Sequence, residues 1–265
     1  MDTSLGDVQF ALKKMQITDE FDDEGAIDYQ EPREVTIFSA LKDSRIVTFI
    51  QAWACDGLYK TYLERSDAEE YDVCEDGPDL RYVIIQMNIC SRTLEQLLPV
   101  GEGRAINVEV AWIIFTEITK ALNYIHQNGV IHRDLKPGNI FFLSHDTYQV
   151  MIGDFGHSCW SKQYVDGKKG TPLRGTQLYA APELDDTASD HTDKADIYSL
   201  GVILVEMFHS FTTGQEKGQV LIGLSKGKYP TKWEGDTVLL KRLTASSPSD
   251  RPSATEILDY MAKRQ

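Results

Sequence analysis

The run Ile131-His132-Arg133-Asp134-Leu135-Lys136-Pro137-Gly138-Asn139 sets a carboxylate, an ammonium and a side-chain amide at fixed offsets in one polar segment. A carboxylate can accept the proton of an incoming hydroxyl and an amide oxygen can hold a hard cation. An ammonium can offset negative charge that builds on a transferred group. Moving a phosphoryl group onto a hydroxyl calls on all three. A loop that is polar for solubility alone would not fix so many residue types at set positions, so the segment reads as chemistry.

Such a segment needs elements on either side to hold it. Ahead of it, alternation predicts a strand over 8–13, and Pro32 suits the first turn of a helix whose apolar face is Val35, Phe38, Ala40 and Leu41. Further strands are predicted over 45–53 and 80–87, and the acidic stretch 64–79 between them reads as a solvated loop. From about Cys90 the pattern turns helical. The stretch 108–126 is apolar nearly all round and predicts a buried helix, stopped by Gly129. Two short strands, 140–142 and 150–152, precede an apolar helix from Asp196 to Phe208. Weaker helices follow over 216–224, 237–243 and 253–261. Strands in front and helices behind give an α+β chain of two lobes, with the boundary near 88–91.

The chain has 265 residues, 42% hydrophobic and 26% charged, an ordinary composition for one large domain or two lobes. A net charge of −14 argues against nucleic-acid binding, because a phosphate backbone would be repelled. The four cysteines (Cys55, Cys74, Cys90, Cys159) form no CxxC pair. With no export signal or long apolar run in the sequence, the reading is a cytoplasmic protein with reduced thiols and no membrane partner.

The loop around Asp134 resembles the H-R-D-L-x-x-x-N catalytic loop of protein kinases. The resemblance implies that Asp134 receives the hydroxyl proton, Lys136 offsets phosphoryl charge and Asn139 ligates Mg²⁺. Asp154-Phe155-Gly156 resembles the family's D-F-G, so Asp154 is the second expected metal ligand. Ala181-Pro182-Glu183 resembles A-P-E, and Arg251 is the expected partner of Glu183. Asp196 looks like the buried aspartate that ties down the catalytic-loop backbone, a structural role. In front, Ala11-Leu12-Lys13 resembles the V-A-I-K strand, which makes Lys13 the phosphate-binding lysine and Glu34 its partner; Lys14 is the competing candidate. Adenine is expected against Asn88 and Cys90, with Met87 at the back of the pocket. The family's glycine-rich loop belongs about 15 residues before the lysine. Ahead of Lys13 the single glycine is Gly6, so the front lobe reads as truncated and ATP binding as weak and Mg²⁺-dependent.

The fold class that follows is α+β, a protein-kinase-like two-lobed fold with a truncated β-rich N-lobe (1–89) and a helical C-lobe (90–265). Lys136 after H-R-D-L favours serine/threonine acceptors. The runs Gln51-Ala52-Trp53, Ile85-Gln86-Met87-Asn88-Ile89-Cys90 and Phe211-Thr212-Thr213-Gly214-Gln215-Glu216-Lys217 resemble the kinases of the translation initiation factor 2 α subunit, above all the heme-regulated type. That likeness implies a role in translational stress responses, with the α subunit as substrate, Thr213 and Glu216 docking it, and dimerisation with a kinase of the same family. Thr-x-x-Glu is also a capping-box signature, so both residues could simply start a helix. Thr171 and Thr176 lie where the family is regulated by phosphorylation, although Thr176 could equally be a structural brace for Asp134 and Lys136. The alternative reading is a truncated kinase-like binding protein that inhibits a full-length relative. His157, after D-F-G, replaces the usual leucine without a visible reason.

Overall fold

Tyr82, Val83, Ile84 and Ile85 are all buried, so their strand is covered on both faces. Such a strand belongs inside a sheet. The computed structural model of the protein describes residues 9–17, 33–55, 81–98, 100–101, 106–161, 178–185, 192–231 and 233–263. It places this strand in the middle of an antiparallel three-stranded sheet of order β1-β3-β2, where β1 is Phe10–Ile17, β2 Phe49–Cys55 and β3 Arg81–Asn88. In β1 the side chains alternate. Phe10, Leu12, Lys14 and Gln16 are exposed, whereas Ala11, Lys13 and Met15 are partly covered. Helix α1 (Arg33–Ala40) packs on β2 through the Phe38 and Phe49 rings, 5.5 Å apart and edge-on. Its buried face is Glu34, Ile37 and Phe38. The expected face of Val35, Phe38, Ala40 and Leu41 is therefore rotated: Ala40 is exposed, and the acid at 34 lies on the covered side.

The chain divides into two compact units. One holds the residues up to Ala40 together with Thr48–Ile89, the other Leu41–Val47 together with Cys90–Gln265. This splits the strand expected over 45–53. Val47 N donates to Ile152 O and Ile152 N to Arg45 O, both at 2.9 Å, whereas Phe49 onward joins β3. The pairing partner changes within a run whose composition is uniform.

The second unit is built on two long helices. Helix α3 (Val108–Gln127) follows the short β4 (Arg92–Thr93) and α2 (Leu94–Leu97). Asn107 caps it by accepting from Glu109 N at 2.9 Å and Val110 N at 3.4 Å. Gly129, at φ +72°, ends it in the left-handed region that suits glycine. The helix is not buried all round as its sequence suggests. Val108 and Ile113 are exposed, and a single face from Ala111 to Ile125 is covered. Full enclosure belongs instead to α4 (Lys194–Phe208), in which every residue from Ala195 to Phe208 is buried. Strands β5 (Val130–Ile131) and β8 (Cys159–Trp160) pair with each other, while β4, β6 (Ile140–Phe142) and β7 (Val150–Ile152) form a small sheet. Helices α5 (Gly214–Leu224), α6 (Thr237–Leu243) and α7 (Ala254–Ala262) complete the unit. Among the described residues no helix is long and apolar enough to cross a membrane.

Gly201 lets α4 and α6 approach. A Cβ there would lie 2.7 Å from Thr244 Cγ2 and 2.9 Å from Leu243 Cβ. Alanine in a helix interior is ordinarily favoured over glycine by about 1 kcal/mol, but forcing a methyl into a filled core costs roughly 1–3 kcal/mol. Leu243 Cβ sits next to backbone and has little room to yield, so the steric term wins. Gly201→Ala is expected to lower the urea midpoint with an unchanged m-value; a raised midpoint would show that α6 can shift away.

Candidate active site

Asp134 and Asn139 are 7% and 5% exposed, in the loop between β5 and β6 that ends in the 3-10 turn Pro137–Asn139. Lys136 Nζ stands 2.7 Å from Asp134 Oδ2. Asn139 Nδ2 donates to that oxygen at 3.0 Å and to the Asp134 carbonyl at 2.8 Å. Both N–H bonds of the Asn139 amide are thus committed to Asp134, which leaves the amide oxygen as the atom suited to a cation. The three residues singled out by spacing are brought together around one carboxylate.

Asp154 enters through its neighbours. Gly153 N donates to Asn139 O at 3.1 Å, so the residue before Asp154 is pinned to Asn139. A Cβ at Gly153 would meet Val47 Cγ2 at 2.7 Å, so the close approach excludes a side chain there. His132 Nδ1 accepts from Asp134 N at 3.3 Å; its Nε2 therefore carries the proton and donates to Gly153 O at 3.1 Å. Phe155 is fully buried, its ring 5.2 Å from that of His132. Arg133 and Asp154 both adopt φ +65°, a region that side-chain-bearing residues seldom occupy and that surrounding contacts must hold. Arg133 Nε donates to the His157 carbonyl at 2.5 Å. Every residue type supplies that carbonyl, so the contact does not require leucine at 157.

The hold on the loop is Asp196. This carboxylate has zero exposure and accepts from His132 N and Arg133 N, each at 2.8 Å, and it lies 2.9 Å from His126 Nε2. Burial pushes its pKa up, but the hydrogen bond and charge of His126 and the backbone N–H of His132 outweigh it and hold the carboxyl below its ordinary value. Asp196 thus fills its expected place, whereas His126, in the last turn of α3, went unassigned in the sequence. The expected pair Glu183–Arg251 is also present. Arg251 Nη2 lies 2.8 Å from Glu183 Oε2 and Nη1 pairs with Oε1, and the guanidinium also donates to Ala245 O at 2.8 Å and Lys194 O at 3.0 Å.

In the first unit, Lys13 Nζ lies 2.7 Å from Glu34 Oε1, and Glu34 is 6% exposed. Lys14, the competing candidate, is on the other face of β1, its ammonium 4.2 Å from the centre of the Tyr82 ring. Met87 stands opposite Ala11 and Phe49 in the sheet, and Asn88 N donates to Thr48 O at 3.1 Å. Cys90, the first residue of the second unit after β3, is half-buried. Thr171 and Thr176 lie outside the described residues. Thr213 caps α5, its Oγ1 accepting from Glu216 N at 3.1 Å. The Glu216 carboxylate accepts from Thr212 N at 2.7 Å, one residue ahead of the position a capping box uses. That backbone hydrogen bond keeps the Glu216 carboxyl below its usual value. The helix-start reading of Thr-x-x-Glu therefore has a geometric basis.

One cluster had no signal in the sequence. Glu206, on α4, is 4% exposed; its Oε1 accepts from the Tyr179 hydroxyl at 2.5 Å and pairs with Lys217 Nζ at 3.1 Å. Burial pushes the Glu206 carboxyl up, opposed by Lys217 and Tyr179. Burial, with the Glu206 charge, raises the Tyr179 phenol as well. The three residues are 27 and 11 apart in sequence, and no local pattern relates them.

Residues 5–261 match the family described as protein kinase domain. The chain is similar to the eIF-2-alpha kinase GCN2 of Arabidopsis thaliana, 33% identical over 286 residues that cover 95% of the chain and 22% of that protein. It is also 33% identical over 234 residues to the interferon-induced, double-stranded RNA-activated protein kinase of Mus musculus, covering 87% of the chain and 43% of that protein. With the eukaryotic translation initiation factor 2-alpha kinase 1 of Rattus norvegicus it shares 36% identity over 202 residues, 66% of the chain and 32% of that protein. The chain thus spans less than half the length of each of these relatives.

Asp196→Ala would leave two buried backbone N–H groups without their acceptor, at about 1–3 kcal/mol each. For a chain of this size that lowers the thermal midpoint by roughly 4 °C or more. A carboxylate with a depressed pKa stabilises the fold above the ordinary carboxylate range and ceases to do so as pH falls through its folded value. The gap between parent and variant should therefore narrow on acidification, as measured by thermal melts across pH. A gap that stays constant into strong acid would show that Asp196 acts by packing and not by charge.

Proposed function

The chain belongs to the protein kinase domain family, and from that premise we propose that it transfers the γ-phosphoryl group of ATP to a serine or threonine of the α subunit of translation initiation factor 2. The observation that carries the chemistry is the convergence of Lys136 and Asn139 on Asp134, on a loop whose backbone is bonded to a buried carboxylate. Asp134 receives the proton of the acceptor hydroxyl. Lys136, already 2.7 Å from that carboxylate, offsets charge on the transferred group. Asn139 and Asp154 fit Mg²⁺, a hard ion commonly held by one or two protein side chains together with phosphate oxygens and water. When bound, the ion neutralises phosphate charge. Lys13, held by Glu34, binds the α- and β-phosphates, and adenine lies against Asn88 and Cys90. The choice of substrate rests on two of the relatives above, each named as a kinase of the initiation factor 2 α subunit.

Two variants test chemistry and substrate separately. Asp134→Asn keeps shape and removes the proton acceptor, so phosphate incorporation should fall on the order of 10²–10⁴-fold with no change in the melting curve. An unchanged rate would remove Asp134 from the mechanism. Glu216→Ala is assayed on the intact α subunit and on a short serine peptide. Docking at α5 requires that phosphorylation of the subunit falls while that of the peptide survives. Loss of both, or of neither, would confine Glu216 to the helix start.

A further inference from the structure

The Tyr179–Glu206–Lys217 cluster joins two parts of the second unit to which the proposed activity assigns separate tasks. Tyr179 stands two residues ahead of Ala181-Pro182-Glu183 and is tied to α4 at both ends. Its hydroxyl reaches Glu206 at 2.5 Å, and its carbonyl accepts from Ser199 Oγ at 2.8 Å. Lys217 comes from α5, immediately after Glu216, and is 18% exposed; the carboxylate it meets is 1% exposed. Among the described residues Glu206 Oε2 has no hydrogen-bond partner. Both the Tyr179 bond and the Lys217 pair therefore fall on Oε1. Glu95 adds negative charge that bears on both Tyr179 and Glu206, and its carboxylate lies 3.3 Å from where a Cβ at Gly138 would stand. Glu95, whose charge bears on the cluster, thus lies against the loop that carries Asp134 and Asn139. In this surrounding Lys217 supplies the cation that opposes the acidic charge of Glu95 and Glu206.

We propose that Lys217 is a positioning residue, which through Glu206 fixes Tyr179 and with it the segment leading into Ala181-Pro182-Glu183. The physical reason is the cost of an ionised carboxylate in the interior, which falls only when a countercharge is close. Lys217 lowers the cost of charge on Glu206, and the Tyr179 hydroxyl, bonded to the same oxygen, gains with it, because a hydrogen bond to an ionised acceptor is roughly twice as strong as a neutral one. Without Lys217 that support is lost and the Tyr179 bond weakens. Residues 216 and 217 point to different tasks from one helical turn: Glu216 lies at the surface near the helix start, and Lys217 reaches inward to α4.

The kinetic consequence rests on the proposed kinase activity; the structural one does not. Lys217→Met keeps the length of the stem and removes the charge, and Lys217→Arg restores it. Backbone amide exchange over 178–185 should quicken roughly fivefold or more in Lys217→Met and return in Lys217→Arg. In the same proteins kcat for a short serine peptide, which makes no use of α5, should fall several-fold in Lys217→Met with little change in KM and recover in Lys217→Arg. Tyr179→Phe, which removes one hydroxyl and keeps the ring, must show the same faster exchange should Lys217→Met fail to fold. Unchanged exchange in the variants overturns the proposal. So does faster exchange with peptide kcat unmoved, or a loss seen only as raised KM for the intact subunit, which would make Lys217 a docking residue. If the parent transfers no phosphate to any substrate, the kinase reading fails, and the exchange measurement still decides the link from Lys217 to Tyr179.

Discussion

A single carboxylate buried without solvent contact, Asp196, decides how the loop before β6 can run. Its partners are two consecutive backbone N–H groups and one imidazole, and it rises from a helix that is itself enclosed on every side. A helix enclosed in this way cannot turn to relieve a strained contact, because neighbouring packing is as dense as a molecular crystal. The two N–H groups are therefore set where α4 sets the carboxylate. From that fixed point Arg133 takes up its left-handed backbone conformation, and Asp134, Lys136 and Asn139 follow within one turn of chain.

The same constraint passes from His132 to the segment that carries Asp154. The His132 N–H is held by Asp196, its ring nitrogens join Asp134 N to Gly153 O, and its carbonyl accepts from Ser158 Oγ at 3.1 Å. A neutral imidazole with one donor and one acceptor matches this pair of partners, and a doubly protonated ring would lose one of them. Polar atoms buried this deeply hold their direction because an unmade bond is costly there. The groups of the candidate site are thus oriented before any ligand arrives, as electrostatic preorganisation requires.

Legibility in the sequence followed the range of the interaction. Strands β6 and β7 match the expected bounds because each is a short apolar run with a turn-forming residue at one end, Asn139 before β6 and Gly153 after β7, and α6 likewise spans the expected residues. The two-residue strands β4, β5 and β8 are too short for any periodicity to register. The apolar count of α3 suggested full burial, yet count cannot tell a covered face from an enclosing one; Ile113 and Ile114, neighbours in sequence, are at 50% and 0% exposure. Phe10 and Ala11, set against the family pattern, favour Lys13 over Lys14, and in β1 the two lysines lie on opposite faces. Asp196 and Arg251 were readable through family motifs. Glu206 and Lys217 were not, since each looks like an ordinary surface charge until the fold brings the pair together.

Arg251 has one more implication, for how the molecule opens. Its guanidinium is fully covered and divides its donors among Glu183, Ala245, Ser246 and Lys194, while the Lys194 ammonium returns a bond to the Arg251 carbonyl at 2.8 Å. Segments far apart in sequence thus share one cation: the turn Pro182–Asp185, the start of α4, and the chain between α6 and α7. Freeing any of them strips acceptors from a charge that has no water to replace them. Fraying from the C-terminal side therefore cannot proceed piecemeal past residue 251. The chain between α6 and α7, the start of α4 and the Ala181-Pro182-Glu183 turn form one cooperative block that opens together or remains closed.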